Sequence, residues 1–213
     1  MPTAHLQSEV RRHQIVHATR KIVATKGMAS LTIQELAKEV GVSEGAIYRH
    51  FKSKDEILLV LIQEIERTLL GAISGSARPG EEAMDQLKHL LQLHFSSLER
   101  RNGVSFVVIS EAQFFANHEV KLATGQMVER YLEMVELILR AAVQAGEIDD
   151  RMDTRAAALM FFGMIQASVT LWSFNNRAHP LAEHSASLWA IFKDGLTSRR
   201  PDGKRPLQGN RTR

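Results

Sequence analysis

Between Thr32 and Lys54 the chain gathers side chains whose chemistry suits a phosphodiester strand better than a bond-breaking reaction. Tyr48 offers a phenol and a flat ring, Arg49 a guanidinium fork, His50 an imidazole and Lys54 an ammonium. Each can donate to a phosphate oxygen or approach a base edge. Gly45 and Ala46 are small enough to let a backbone come close to a duplex. Thr32 and Ser43 carry hydroxyls of the kind that cap helices and touch phosphates. Glu44 has the wrong sign for a polyanion, yet a carboxylate accepts from cytosine N4 and also sits well at a helix N-terminus. Both readings of Glu44 stand at this level.

Constellations for catalysis are missing. With no cysteine there is no disulfide, thiolate metal site or cysteine nucleophile, which fits a reducing cytoplasm. His13 and His17 lie four apart and could clamp a metal, but no glutamate accompanies them in the HExxH manner, so an exposed pair is expected. His89 and His94 are five apart and fall on different helix faces. No glycine-rich phosphate loop or serine elbow occurs. The expectation is a protein without catalytic residues, metal or cofactor. The opening MPTAHLQSEVRRHQ has no apolar h-region, so no secretory signal is expected.

These residues need elements to carry them, and the pattern is helical throughout, with about nine helices and no useful strand-like alternation. A first helix is expected over 8–26, with Ile15, Ala18, Ile22 and Val23 as its apolar stripe. Thr32 with Glu35 and Ser53 with Glu56 read as capping boxes, each carboxylate reaching back to its cap amide. Gly41 suits a tight turn before Ser43 caps a short helix over 44–50. Longer helices follow over about 54–73, 81–101, 104–116, 118–145, 153–176 and 181–198. The helix–Gly41 turn–helix spacing is that of a helix-turn-helix, whose second helix enters the major groove.

Charge agrees with that assignment. Residues 1–55 hold nine Lys and Arg against five Asp and Glu, whereas 56–198 hold twelve against eighteen. The end, 199–213, holds six against one and lacks the apolar residues that offset ordering entropy. Residues 156–174 carry no charge and approach the length of a membrane span. Gln166, Ser168, Thr170 and Ser173 interrupt the run, so a helix buried on two sides is expected and no membrane partner.

The stretch TIQELAKEVGVSEGAIYRHFKSKDEIL resembles the DNA-binding domain of the TetR family of repressors. Gly41, Gly45, Tyr48, His50, Phe51 and Lys54 meet its signature. The resemblance implies that Thr32, Tyr48, His50 and Lys54 bind phosphates, with Tyr48 also able to meet backbone or base. It implies that Ser43, Glu44, Gly45 and Arg49 face the bases or groove edge. With the helical pattern, it implies an all-α fold with a helix-turn-helix domain over 1–53 and a ligand-binding and dimerisation domain over 54–198; the composition of 199–213 adds a disordered basic tail.

The body has more apolar surface on its last two helices than one core-facing stripe requires. A two-fold partner gives the excess a destination, with Phe161, Ile165, Leu188, Trp189 and Phe192 as expected interface residues. Candidate pocket residues are Phe106, Ile109, Gln113, Phe114, Met127, Tyr131, Met134, Phe162, Gln166 and Trp172. Gln113 and Gln166 stand out because an amide on an apolar face must find a partner. The segments HFSSLERRN and LRAAVQAGEIDDRMDTRAAALMFFGMIQASVTLW are similar to the fatty-acid-degradation regulators of the same family. That likeness implies a small apolar effector, a long-chain acyl-CoA or a fatty acid, with Arg100, Arg101, Lys121 and Arg130 as candidates for its anionic head. The expected function is a homodimeric repressor of a palindromic double-stranded operator, released by that effector. The alternative is a DNA-binding protein with no small ligand, controlled by a protein partner or acting architecturally.

Overall fold

A computed structural model describes residues 3–197, and the basic tail lies outside the described residues. Among the described residues there are nine α-helices and no strand. They are α1 (Thr3–Lys26), α2 (Ile33–Val40), α3 (Glu44–Tyr48), α4 (Lys54–Ser76), α5 (Ala83–Arg100), α6 (Val104–Glu111), α7 (His118–Gln144), α8 (Thr154–Phe174) and α9 (Ser185–Thr197). Short 3-10 turns at Met28–Ser30, Ala112–Phe114 and Leu181–His184 adjust the chain between them.

Local chemistry explains most boundaries. Gly41 adopts φ 75°, a conformation costly for residues with a Cβ, and the amides of Gly41 and Val42 both donate to Ala37 O at 2.9 Å. Oγ of Ser43 accepts from Ala46 N, and Asp153 caps α8 through Ala156 N. The two capping boxes close only halfway. Thr32 and Ser53 accept from the amides of Glu35 and Glu56 as expected, at 3.1 and 3.2 Å. Glu35 then turns to Lys26, while Glu56 accepts from Lys52 N at 2.7 Å, one residue before the cap. A basic neighbour competes successfully for the first carboxylate.

Three helices differ most from expectation. α1 begins at Thr3 and not at residue 8. α6 stops at Glu111 and tightens to a 3-10 turn, because Asn117 takes over as cap of α7, its Oδ1 accepting from Glu119 N at 2.8 Å and Val120 N at 3.2 Å. α9 begins at Ser185, since Glu99 of α5 draws the Leu181 amide to itself and a 3-10 turn intervenes.

Apolar packing forms two cores. The lower one joins Ile15, Ile22, Leu36, Ile47 and Phe51 of the head to Leu58, Leu61 and Ile65 of α4. It also takes in Val104 and Val108 of α6 and Val120 and Met127 of α7. The upper one packs α5, α7, α8 and α9 around Leu90, Phe95, Val135, Phe161 and Phe192. The lower core therefore runs through position 53/54 and takes in the near ends of three body helices.

Candidate functional site

The helix-turn-helix presents its donors as a surface. Ser43, Glu44, Gly45, Tyr48, Arg49 and Lys54 are exposed, while Ile47 and Phe51 are fully buried behind them. Tyr48 is 53% exposed, too open for a core residue, and Thr32 lies exposed at the start of α2. Ala46 and His50 are half-buried at the edge of α3. Nδ1 of His50 lies 3.3 Å from the Ser8 hydroxyl. Sequence reasoning missed Arg12. Its guanidinium stacks on Phe51 at 4.1 Å, donates to His50 O and lies 3.6 Å from Glu56. It fixes the end of α3 against α1 and α4.

A cavity lies above the lower core, between α1, α4, α5, α6, α7 and α8. Ile109, Tyr131, Phe162 and Gln166 line it, as does Ile165, which the sequence suggested for an interface. The remaining pocket candidates lie elsewhere. Phe106 packs on the upper core and Met127 is buried in the lower one. Gln113, Phe114 and Met134 are exposed, Phe114 by 78%. Trp172 stacks with Arg177 and donates through Nε1 to His179 O at 3.0 Å. Arg101, one of the residues suggested for an anionic head, lines the cavity too, whereas the sequence missed Arg20, Thr68, His94 and Ser97. They come from three helices, so no spacing pattern connects them.

One polar pair is built into the cavity wall. Nε2 of His94 and the Tyr131 hydroxyl meet at 2.9 Å, both side chains fully buried, with their rings edge to face at 5.4 Å. Burial lowers His94 to a pKa of about 4 and pushes the Tyr131 phenol up. Both are neutral at pH 7, a polar contact without a buried charge. The free space inside is about 50 Å³, enough for a few waters and far below the ~300 Å³ of a typical ligand pocket.

The cavity opens into a cationic groove. Arg20, Thr68, Ser97 and Arg101 belong to both, and Arg67 and Arg100 extend the groove along α4 and α5. Glu64 is its one carboxylate and pairs with Arg20. Partial burial and the neighbouring Arg20 charge lower the pKa of Arg101. Lys121 and Arg130 lie elsewhere, donating to Gln113 O at 3.1 Å and pairing with Glu66 respectively.

The face available to a partner differs from the expected one. Phe161, Ile165, Trp189 and Phe192 are buried within their own chain and Leu188 is half-buried, so they support α8 and α9 from inside. Leu159, Met160, Leu171 and Phe174 of α8 and Ile191 of α9 are the large apolar residues left exposed there. By length and composition α8 could cross a membrane.

Comparisons with known proteins account for these features together. Residues 15–61 match the family model described as bacterial regulatory proteins, tetR family. Residues 61–195 match that of the YsiA-like protein, C-terminal region, and α8 falls inside this segment. The chain belongs to the TetR family. It is accordingly a DNA-binding transcription regulator with a ligand-binding body. Among similar proteins, the fatty acid metabolism regulator of Bacillus subtilis is 28% identical over 190 residues, 89% of this chain and 97% of that one. The nucleoid occlusion factor SlmA of Vibrio atlanticus is 28% identical over 183 residues, covering 85% and 93%. The crystal structure of FadR from B. subtilis in complex with stearoyl-CoA has a TM-score of 0.76 at 28% identity, covering 86% of this chain and 98% of that one. FadR from Bacillus halodurans gives 0.77 at 25%, covering 89% and 97%. The two FadR proteins are described as a transcriptional regulator and a fatty acid degradation regulator.

Proposed function

We propose that this TetR-family chain is a cytoplasmic, homodimeric repressor of a palindromic operator, released by a long-chain acyl-CoA. The observation that carries this reading is the joined pair of compartments, an apolar cavity opening into a groove with Arg20, Arg67, Arg100 and Arg101. An apolar chain with an anionic head has both chemistries. The stearoyl-CoA bound to the B. subtilis regulator supports the assignment. Leu159, Met160, Leu171, Phe174 and Ile191 supply the face that pairs with the second subunit. Thr32, Tyr48, His50 and Lys54 hold phosphates, and Ser43, Glu44, Gly45, Ala46 and Arg49 lie toward the bases.

Release follows from the size of the cavity. A chain entering a space of about 50 Å³ must part the walls, and one wall is Ile65, Thr68 and Leu69 of α4. The same helix begins at Lys54, at the DNA face. The effector favours the expanded state only by its differential affinity for it.

The test is fluorescence anisotropy on a palindromic duplex selected in vitro with this protein. Tyr48→Ala and Lys54→Ala are each expected to weaken binding roughly 10-fold or more, the latter also reducing the salt slope by about 1. Stearoyl-CoA is expected to release the duplex, and Arg67→Ala with Arg101→Ala to raise the concentration required roughly 10-fold or more. DNA binding that survives saturating stearoyl-CoA would leave the effector-free alternative, toward which the SlmA likeness points.

A further inference from the structure

The head is joined covalently to the body through α4, and Asn117 Nδ2 donates to Asp55 Oδ2 at 2.8 Å to steady the near end of that helix. Besides these and the shared lower core, a further attachment arises from the far end of the sequence. Arg177, in the turn between α8 and α9, reaches 153 residues back to the last turn of α1. Its Nη2 donates to Ala24 O at 2.8 Å and to Asn102 O, in the α5–α6 turn, at 3.2 Å. The guanidinium also lies over the Trp172 ring, 5.3 Å from its centroid.

Each partner has a physical reason to accept this cation. Carbonyls in the last turn of a helix lack intrahelical donors and carry the negative end of the helix dipole. The Asn102 carbonyl belongs to a turn with left-handed backbone at both Asn102 (φ 53°) and Gly103 (φ 71°). Trp172 is held in place by its own bond to His179 O. One planar fork thus joins the end of α1, the start of α6 and the end of α8.

Position 177 is also an unfavourable place for an arginine. Its φ is 61°, following Asn176 at 51°, and left-handed backbone is natural for glycine and tolerable for asparagine. The Arg177 amide donates to Trp172 O at 2.9 Å, which closes α8 whatever the side chain. Backbone economy alone would select another residue here, so the side-chain contacts are what the strained position holds in place.

The turn follows directly on α8, whose exposed face carries Leu171 and Phe174. The lower core orients the head against α4, α6 and α7 of its own body. Fixing α1 to the end of α8 refers that orientation to the subunit-pairing face as well. We propose that Arg177 is a positioning residue for operator binding, setting the separation of the two recognition helices by tying α1 to the α8–α9 turn. The inference rests on the homodimeric reading above and is independent of the effector's identity.

The experiment uses the full chain and the palindrome selected with wild type, compared with the same half-sites carrying one or two extra central base pairs. Two-fold readers demand a fixed half-site separation, so wild type should discriminate sharply among these duplexes. Arg177→Ala should lose about 10-fold on the selected spacing and little on the altered ones, flattening the profile. Arg177→Lys keeps the charge but not the planar fork, and should fall between. Light scattering should show both variants as dimers. An unchanged profile in R177A overturns the inference, as does an equal loss on every spacing, which marks a merely structural role. Should R177A not fold, R177K carries the test, and an unchanged spacing profile there overturns the inference. A wild type indifferent to spacing overturns the dimeric reading and this inference with it.

Discussion

The lower core is built to stay as it is, whereas the upper core keeps something to give. In the lower core the buried polar residues, Thr19 and Thr124, bond to carbonyls of their own helices and ask nothing of their neighbours. The rest of it is apolar, including Phe51, Ile47 and Leu36, and only its edge, at Ile65 and Val104, reaches the cavity. At the boundary of the upper core, His94 and Tyr131 bond across two helices beside a small cavity, with Arg20 and Arg101 at its mouth. A polar pair with unfilled space beside it can exchange partners, while a filled apolar core can only be damaged. Under the function proposed above, a reader that must hold its shape and a sensor that must change shape lie in different packing environments, bridged by α4.

The comparison breaks first at large-to-small substitutions. Phe51→Ala should cost about 3–5 kcal/mol and abolish DNA binding, because the site cannot collapse and Arg12 loses its platform. Phe162→Ala, in the half-buried cavity wall, should cost about 1–2 kcal/mol and leave the head folded. Urea unfolding of the two variants gives the values, and equal losses would remove the distinction between a filled and an adjustable core.

Acid titration sharpens it next. His94 has its folded pKa lowered from 6.5 to about 4, so the unfolded chain binds its proton first. Its contribution to stability is complete above pH 6.5 and is lost as the pH falls toward 4. Melting curves should show a loss of about 2 kcal/mol between pH 7.5 and 5 that His94→Gln does not share. A wild type and variant with the same pH profile would mean that His94 is not the neutral, buried partner of Tyr131 described above.

The smallest effect is expected at the bridge. Asn117→Asp keeps an acceptor for the amides of Glu119 and Val120 but sets a carboxylate against Asp55. A loss of about 1 kcal/mol should follow, with faster hydrogen exchange in the first turns of α4. Exchange confined to α7 would place the bridge elsewhere.

Legibility in the sequence follows how far each feature reaches along the chain. The caps at Thr32, Ser43 and Ser53 and the turn at Gly41 are settled within about four residues, and each is found where it was read. The second half of each capping box was not legible, because Lys26 and Lys52 lie outside the four-residue motif. In the cavity, Tyr131 and Phe162 were recognisable as aromatic residues on apolar helices and Arg101 as a candidate for an anionic head, but His94 looked like an ordinary member of α5.

α8 marks the limit most clearly. Its residues alone establish a helix apolar on nearly every side, and with α9 they establish more apolar surface than one chain's core requires. Which side turns inward is decided by contacts with α5, α7 and α9, which bury Phe161 and Ile165 and leave Leu159, Met160, Leu171 and Phe174 outside. Amphipathic periodicity can orient a helix only when its faces differ, and here they do not. The sequence determined the reader, its caps and its donors, because those rest on local hydrogen bonds. Only the tertiary structure decided the cavity, the pairing face and the reach of Arg177 to α1, because each depends on residues brought together from distant parts of the chain.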